Sequence, residues 1–306
     1  MSRYIAIRVA STIPVVLGVV TIVFLMLRLI PGNPVIMSLG TSATPQAVAL
    51  LTRRLGLNLP LWVQYAHYIG QLLHGNLGLS MQSSLPVQSL LAQRLGATLE
   101  LAFGGILVAV VMGLAFGVLA ATTPRPAVEK SIIAGSTLFL AVPNFWLGIV
   151  MVMLFALTLH WLPVFGFGGL YHLTLPALSL GLVAGAVNVR IVRNTVGEVL
   201  TQQYVRTALA KGLTRRKIIW KHALKNALIP VVTIIGLQFG SLLGGVVVIE
   251  QLFGWPGIGS LLISAIEARD YTLVQGGVLY LSLIFILVNL LVDVAYTLID
   301  PRIRYA

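Results

Sequence analysis

Six apolar stretches, at 9–30, 98–121, 132–159, 175–192, 227–249 and 277–299, are separated along the chain by polar segments of unequal length. A helical crossing of a bilayer takes about 20 apolar residues, so the pattern predicts an all-α polytopic membrane protein with six transmembrane helices. The stretch at 175–192 is the shortest and carries Asn188 and Arg190 near its end. Residues 1–30 read as an N-terminal anchor helix, 31–97 as an external loop or cap, and 98–306 as a core of five further spans. Arg3 and Arg8 precede the first span as in a secretion signal. Its apolar run exceeds the roughly 7 to 15 residues of such a signal and no small-residue cleavage pattern follows, so it is expected to remain as an anchor.

The polar segments are of two kinds. Within 31–97, residues 44–55 and 60–73 read as short amphipathic helices: Thr44 can cap the first, Pro45 fits its first turn and Gly56 stops it. A segment of that length outside the membrane suggests a cap that touches a soluble partner. Residues 190–228 form a basic island with nine of the chain's 20 Lys and Arg and one carboxylate, Glu198. Inside it, Gly212 suits the left-handed turn that closes one helix, and Thr214 can cap the next. Lys217, Lys221 and Lys225 then recur every four residues beside an aliphatic face, which predicts a helix lying along the membrane surface.

Charge orients the chain. With the N-terminus inside, the cytosolic segments hold 15 Lys and Arg (Arg3, Arg8, Arg125, Lys130, the nine of the island, Arg302 and Arg304), against 4 outside (Arg53, Arg54, Arg94 and Arg269). Lys and Arg are retained on the cytosolic side during insertion, so both termini and the island are expected in the cytosol. Composition agrees: 58% of the 306 residues are hydrophobic and 9% charged, and the mean hydropathy is +0.97. The net charge of +12 is then better explained by orientation and lipid contact than by nucleic acid. The absence of cysteine removes disulfides, thiolate metal sites and cysteine nucleophiles.

The island also carries a resemblance. YVRTALAKGL (204–213) followed by KHALKNALIPVVT (221–233) resembles the coupling loop of bacterial ABC importer permeases of the dipeptide, oligopeptide and nickel branch. Ala208, Gly212 and Leu224 match the general pattern of such loops. Arg206 and Thr207 stand in place of Glu and Ala, and His222 and Lys225 in place of Ile and Pro, in the manner of the peptide branch. PGNP (31–34), GNLGLS (75–80), FGWPGIG (253–259) and DPRIRY (300–305) are similar to signatures of the same branch. The resemblance implies a coupling loop at 194–226, between the fourth and fifth spans, that inserts into a cleft of an ATP-hydrolysing subunit. Arg206, Thr207, Ala208, Lys211 and Gly212 would transmit force there. It also implies a second homologous permease subunit, two ABC ATPase subunits that bind ATP and Mg, an external substrate-binding protein, and a bacterial-type inner membrane.

The fifth span holds Gly236, Gly240 and Gly244 in steps of four with Gln238 between them, a groove in which another helix can approach the backbone closely. It is expected to line the pathway or pair with the partner permease. After it, EQLFGWPGIGSLL (250–262) is broken by Gly254, Pro256, Gly257 and Gly259, so Phe253, Trp255, Pro256 and Gly257 are expected in a re-entrant or interfacial turn on the outer face. Asn289, Asp293, Tyr296 and Asp300 make one polar stripe on the last helix, read as partners for nearby basic side chains.

GxxxxGK[ST], HExxH and GxSxG motifs are absent, and His67, His74, His160, His172 and His222 are scattered. No catalytic residue, metal ligand or cofactor site is expected in this chain, and energy must come from another subunit or an ion gradient. The reading is the permease subunit of an ATP-driven importer of short peptides or related small solutes. The alternative is an ion-gradient-driven secondary transporter with Glu100 and Asp293 as proton carriers. A non-transporting membrane scaffold is a further alternative.

Overall fold

The computed structural model describes residues 2–29, 35–36, 43–54 and 56–299. The PGNP and DPRIRY signatures, Asp300, Arg302 and Arg304 lie outside the described residues, as do the side chains of Asp293 and Tyr296. The helices are α1 (Ser2–Leu29), α2 (Pro45–Arg54), α3 (Leu61–Leu73), α4 (Val87–Thr122), α5 (Pro126–Leu140), α6 (Asn144–Met151, continued by a π turn over Val152–Thr158), α7 (Gly169–Thr201), α8 (Gln203–Ala210), α9 (Leu224–Phe253), α10 (Ile258–Glu267) and α11 (Tyr271–Ile299). Segments Arg8–Met26, Val87–Thr122, Gly169–Thr201 and Tyr271–Val292 are each long and apolar enough to cross a membrane.

Two further candidates are bent. The stretch expected as one span at 132–159 is two helices, Pro126–Leu140 and Asn144–Thr158, meeting at 104°. Pro143 lies at the break; it offers no N–H and disfavours helical backbone at the residue before it. The other pair, Gly244–Phe253 and Ile258–Glu267, bends by 76°. There Gly254 takes φ +62°, Trp255 N–H donates to the Glu250 carbonyl at 2.8 Å, and Pro256 follows.

The chain groups into two compact units, one of Met1–Ala6, Leu99–Trp255 and Leu287–Ala306, the other of Ile7–Thr98 and Pro256–Ile286. The first is organised on α7, whose Leu180, Ala186, Val189 and Val196 are fully buried. Glycines let α4 meet it backbone to backbone. A Cβ on Gly113 would lie 2.5 Å from Asn188 Cβ, one on Gly117 2.6 Å from Val192 Cβ, and one on Gly181 2.4 Å from Val108 Cβ. Close packing of this kind drives helix association where lipid supplies no hydrophobic force. Asn188 Nδ2 donates across the seam to the Ala109 carbonyl at 3.3 Å.

The seam fixes direction. Contact partners rise together along both helices, so α4 and α7 run parallel. The bent α5–α6 pair lies between these two parallel helices in the sequence. Helix α9 pairs with α7 in the opposite sense, since Gln238 meets Ala184 and Gly245 lies against Leu180.

The second unit packs α10 among Val87, Leu91 and Leu273, with Ile258 and Leu262 at the centre. Gly257 at the helix start has no side chain to cap it, and the Thr98 hydroxyl accepts from Ile258 N–H at 2.8 Å instead. Helix α3 joins α1 and α11 in one apolar cluster, in which Tyr68, Ile69 and Leu72 pack with Val16 and Val19 against Val20, Val23 and Leu279.

Candidate functional site

The basic island begins where α7 ends at Thr201. Helix α8 is anchored by one buried side chain, Val205, while Arg206, Thr207, Leu209 and Lys211 are exposed and Ala208 is half-buried. Its end is closed by backbone bonds from Lys211 N–H to the Thr207 carbonyl (3.0 Å), Gly212 N–H to Leu209 (2.9 Å) and Leu213 N–H to Ala208 (3.2 Å). Gly212 holds φ +78°, a conformation that a Cβ disfavours. Thr214 opens the next helix, its Oγ1 accepting from Lys217 N–H at 3.4 Å. All five residues expected to transmit force therefore belong to one exposed helix and the turn that ends it. Leu209, 51% exposed on that surface, was not singled out by sequence; an apolar side chain amid a polar island was its available signal.

After Thr214 the chain does not form a separate surface helix. Arg215–Lys217 passes through a π turn at Ile218–Ala223 directly into α9. No Gly or Pro stands between Arg215 and Ile229 to stop it. The side chains of Lys221, His222 and Lys225 lie outside the described residues. Ile219 and Leu224 pack on Val192, Val196 and Val199 of α7, which joins the island to the core.

A groove of about 430 Å³ opens between α6, α7 and α9, lined by Asn144, Leu180, Val183, Ala184, Val187, Ile234, Leu237, Gln238 and Leu242. Among the described residues, no charged side chain lines it. Gln238 Nε2 donates to the Ala184 carbonyl at 3.3 Å, which brings the one polar residue expected on the pathway into the groove wall. The three glycines expected beside it separate. A Cβ on Gly236 would lie 2.2 Å from Cγ1 of Val292, so this glycine serves packing of α9 on α11. Gly240 is buried. Gly244 is exposed, with nothing within 4 Å of its Cβ position. Asn144 was missed by sequence, and its place after the helix-breaking Pro143 was the signal.

At the bend after α9, Phe253 and Trp255 are buried, Gly257 is buried and Pro256 half-buried. The Phe167 and Trp255 rings meet edge-on with centroids 4.8 Å apart. A smaller polar notch of about 340 Å³ lies among the ends of α4, α5 and α7, lined in part by Glu129, Arg193, Asn194 and Glu198. Arg193 donates from both Nε and Nη2 to Glu129 Oε1, and from Nη1 to Asn194 Oδ1.

Comparison with known proteins matches two family models, "Binding-prot-dependent transport system membrane comp, N-term" over residues 1–102 and "Binding-protein-dependent transport system inner membrane component" over residues 113–305. The glutathione transport system permease protein GsiC of Salmonella choleraesuis is 42% identical over 305 residues, with all of both chains covered. The dipeptide transport system permease protein DppB of Alkalihalophilus pseudofirmus is 39% identical over 333 residues, again with all of both chains covered. Among solved structures, a chain of the MetNI methionine ABC transporter in an inward-facing conformation shares the fold, with TM-score 0.57 and 20% identity over 70% of this chain and 97% of that one. The chain therefore belongs to the inner membrane components of binding-protein-dependent transport systems.

Proposed function

We propose that this chain is the permease subunit of an ATP-driven importer that carries short peptides or related small solutes inward across the cytoplasmic membrane. It works with a second homologous permease, two ABC ATPase subunits and an external substrate-binding protein. ATP and Mg act in the ATPase subunits, and this chain supplies no catalytic group. Both termini and the 194–226 loop face the cytosol. The alternative of an ion-driven carrier using Glu100 and Asp293 gives way to the family membership.

The observation that carries this reading is mechanical. The exposed helix α8 and the Gly212 turn are flanked by α7 and α9, and the same two helices form most of the groove wall at Leu180–Val187 and Ile234–Leu242. A displacement of α8 by a closing ATPase pair is delivered through two continuous helices to the groove. Rigid secondary elements carry such coupling. The groove offers carboxamides at Asn144 and Gln238 among aliphatic side chains. That chemistry suits transient hydrogen bonding to amide groups and does not hold a charge.

The test is reconstitution in liposomes with the co-purified partners. Uptake of a labelled dipeptide that requires both ATP and the binding protein is the expected result. Uptake driven by a proton gradient without ATP would overturn the proposal.

A further inference from the structure

The segment after α1 does not stand clear of it. Arg28 Nε donates to Gln64 Oε1 at 3.2 Å, the Tyr65 and Thr21 hydroxyls are 2.7 Å apart, and the Phe24 ring lies 5.1 Å from that of Tyr65 and 5.6 Å from that of Tyr68. Farther along α3, Ile69 and Leu72 join the cluster of Val16, Val19 and Val20. Gln64, near the start of α3, meets Arg28 at the end of α1, while Ile69 and Leu72 join the cluster that holds Val20 and Val23, so α3 turns back beside α1. Thirteen residues of helix measure about 20 Å at 1.5 Å per residue. Helix α3 thus runs from the end of α1 at Arg28 back beside the Arg8–Met26 crossing as far as the cluster of Val20 and Val23.

The chain then climbs back. Leu77 lies against Gly276, Gly78 against Thr272, and Ser80 reaches Asp270, so four residues ascend α11 to its start. The turn at the bottom satisfies its own polar groups. His74 N–H and Asn76 N–H donate to the Gln71 carbonyl at 3.1 and 2.9 Å, Gly75 N–H to Leu72 at 2.9 Å, and Gly78 N–H to Asn76 Oδ1 at 2.9 Å. Gly75 closes it with φ +71°. Irregular backbone persists at membrane depth only when its hydrogen bonds are met internally or by protein or water.

None of α3 is fully buried. At 100° per residue its exposed arc divides: Trp62, Ala66 and Leu73 share one flank, while His67, Gln71 and His74 share the other. Trp62 is 75% exposed and Leu73 81%.

We propose that residues 61–80 form a re-entrant hairpin inserted into the outer leaflet beside α1, with lipid acyl chains covering the flank of Trp62, Ala66 and Leu73. The anchor is then one full span and one half-span. The flank of His67, Gln71 and His74, too polar for hydrocarbon, is turned from the lipid. The choice of leaflet rests on the orientation proposed above.

The chain has no cysteine, so each single-cysteine variant carries one thiol, and labelling of the assembled transporter in native membranes is read on this chain after it is isolated. Ala66→Cys, Leu73→Cys and, as reference in the exposed return loop, Ser83→Cys are treated with a charged, membrane-impermeant maleimide and with an apolar, lipid-soluble one. The expected result is that Ser83→Cys reacts with both in intact cells, while Ala66→Cys and Leu73→Cys lose reaction with the charged reagent and keep it with the apolar one. Reaction of Leu73→Cys with the charged reagent at the rate of Ser83→Cys would make the segment an external cap and overturn the proposal. Failure of both reagents at Ala66 and Leu73 would put protein in place of lipid and overturn it equally. Should Ser83→Cys react only in inside-out vesicles, the orientation fails by itself, and the same three-way comparison decides the hairpin from that face.

Discussion

The carboxylate of Asp270 accepts the hydroxyl hydrogen of Ser80 across 190 positions of sequence. The same carboxylate accepts backbone N–H groups from Met81 at 3.1 Å, Gln82 at 3.4 Å and Leu273 at 3.1 Å. It is 1% exposed. One buried side chain thus closes the N-terminus of α11 and ties the loop before α4 to it.

Asp270→Ala would leave those N–H donors without an acceptor, at a cost of about 2–4 kcal/mol. Ser80→Ala removes the hydroxyl that donates to Asp270 and accepts from Ser83 N–H at 3.0 Å, and leaves the three backbone N–H bonds to the carboxylate, at about 1–2 kcal/mol. Thermal unfolding of the purified transporter in mild detergent should show a clear loss for Asp270→Ala and a small one for Ser80→Ala. Equal melting of Asp270→Ala and the parent would remove the clasp as a source of stability.

Gly212 is the place where a local change should reach furthest. Its φ of +78° is outside what proline adopts, and its N–H donates to the Leu209 carbonyl at 2.9 Å. Gly212→Pro is expected to abolish substrate-stimulated ATP hydrolysis in the assembled complex while insertion persists. Gly212→Ala keeps the N–H and pays only the left-handed strain, about 1 kcal/mol, so coupling should be reduced and not lost. Normal stimulated hydrolysis in the proline variant would show that the turn does not transmit force.

What was legible in the sequence was what depends on local chemistry. Lipid demands long apolar runs, so the crossings stand out; Gly212 and Thr214 announce a turn and a cap whatever surrounds them. The bend at Pro143 was hidden because the run 132–159 is apolar on both sides of it, and hydropathy does not register direction. Pairing was hidden for a different reason. Gly113, Gly117 and Gly181 form the seam of α4 and α7, yet a glycine in an apolar run does not say which helix it meets. Gly236 shows the same limit, since its spacing with Gly240 and Gly244 suggested a single groove while Val292 of the same chain fills its share. The packing of α3 against α1 was invisible because amphipathic residues serve equally on a water surface and against another helix.

Gly236 and Gly244 therefore divide the roles that their spacing joined. Gly236→Ala would drive a methyl into Val292 and should cost about 1–3 kcal/mol of stability by overpacking. Gly244→Leu enters open space. The fold should be unchanged, while permease pairing or passage declines, read as loss of the partner permease on co-purification or as slowed uptake. Unaltered pairing and uptake in Gly244→Leu would leave that face without the proposed role.

The groove makes the sharpest separation between passage and drive. Gln238 and Asn144 are its carboxamides, and the Gln238 bond to the Ala184 carbonyl, long at 3.3 Å, ties α9 to α7 at the groove wall. Gln238→Leu retains similar bulk, removes the amide, and should cost no more than about 1 kcal/mol of stability. If the groove carries solute, peptide uptake should fall while the ATPase subunits still assemble on α8 and hydrolyse ATP, because the coupling turn is untouched. Loss of both activities together would assign Gln238 to the mechanical link between helices, and loss of neither would move the pathway away from this wall. Asn144→Leu in the same assay distinguishes the first two outcomes, since Asn144 lines the same groove from α6 and has no part in the α7–α9 bond.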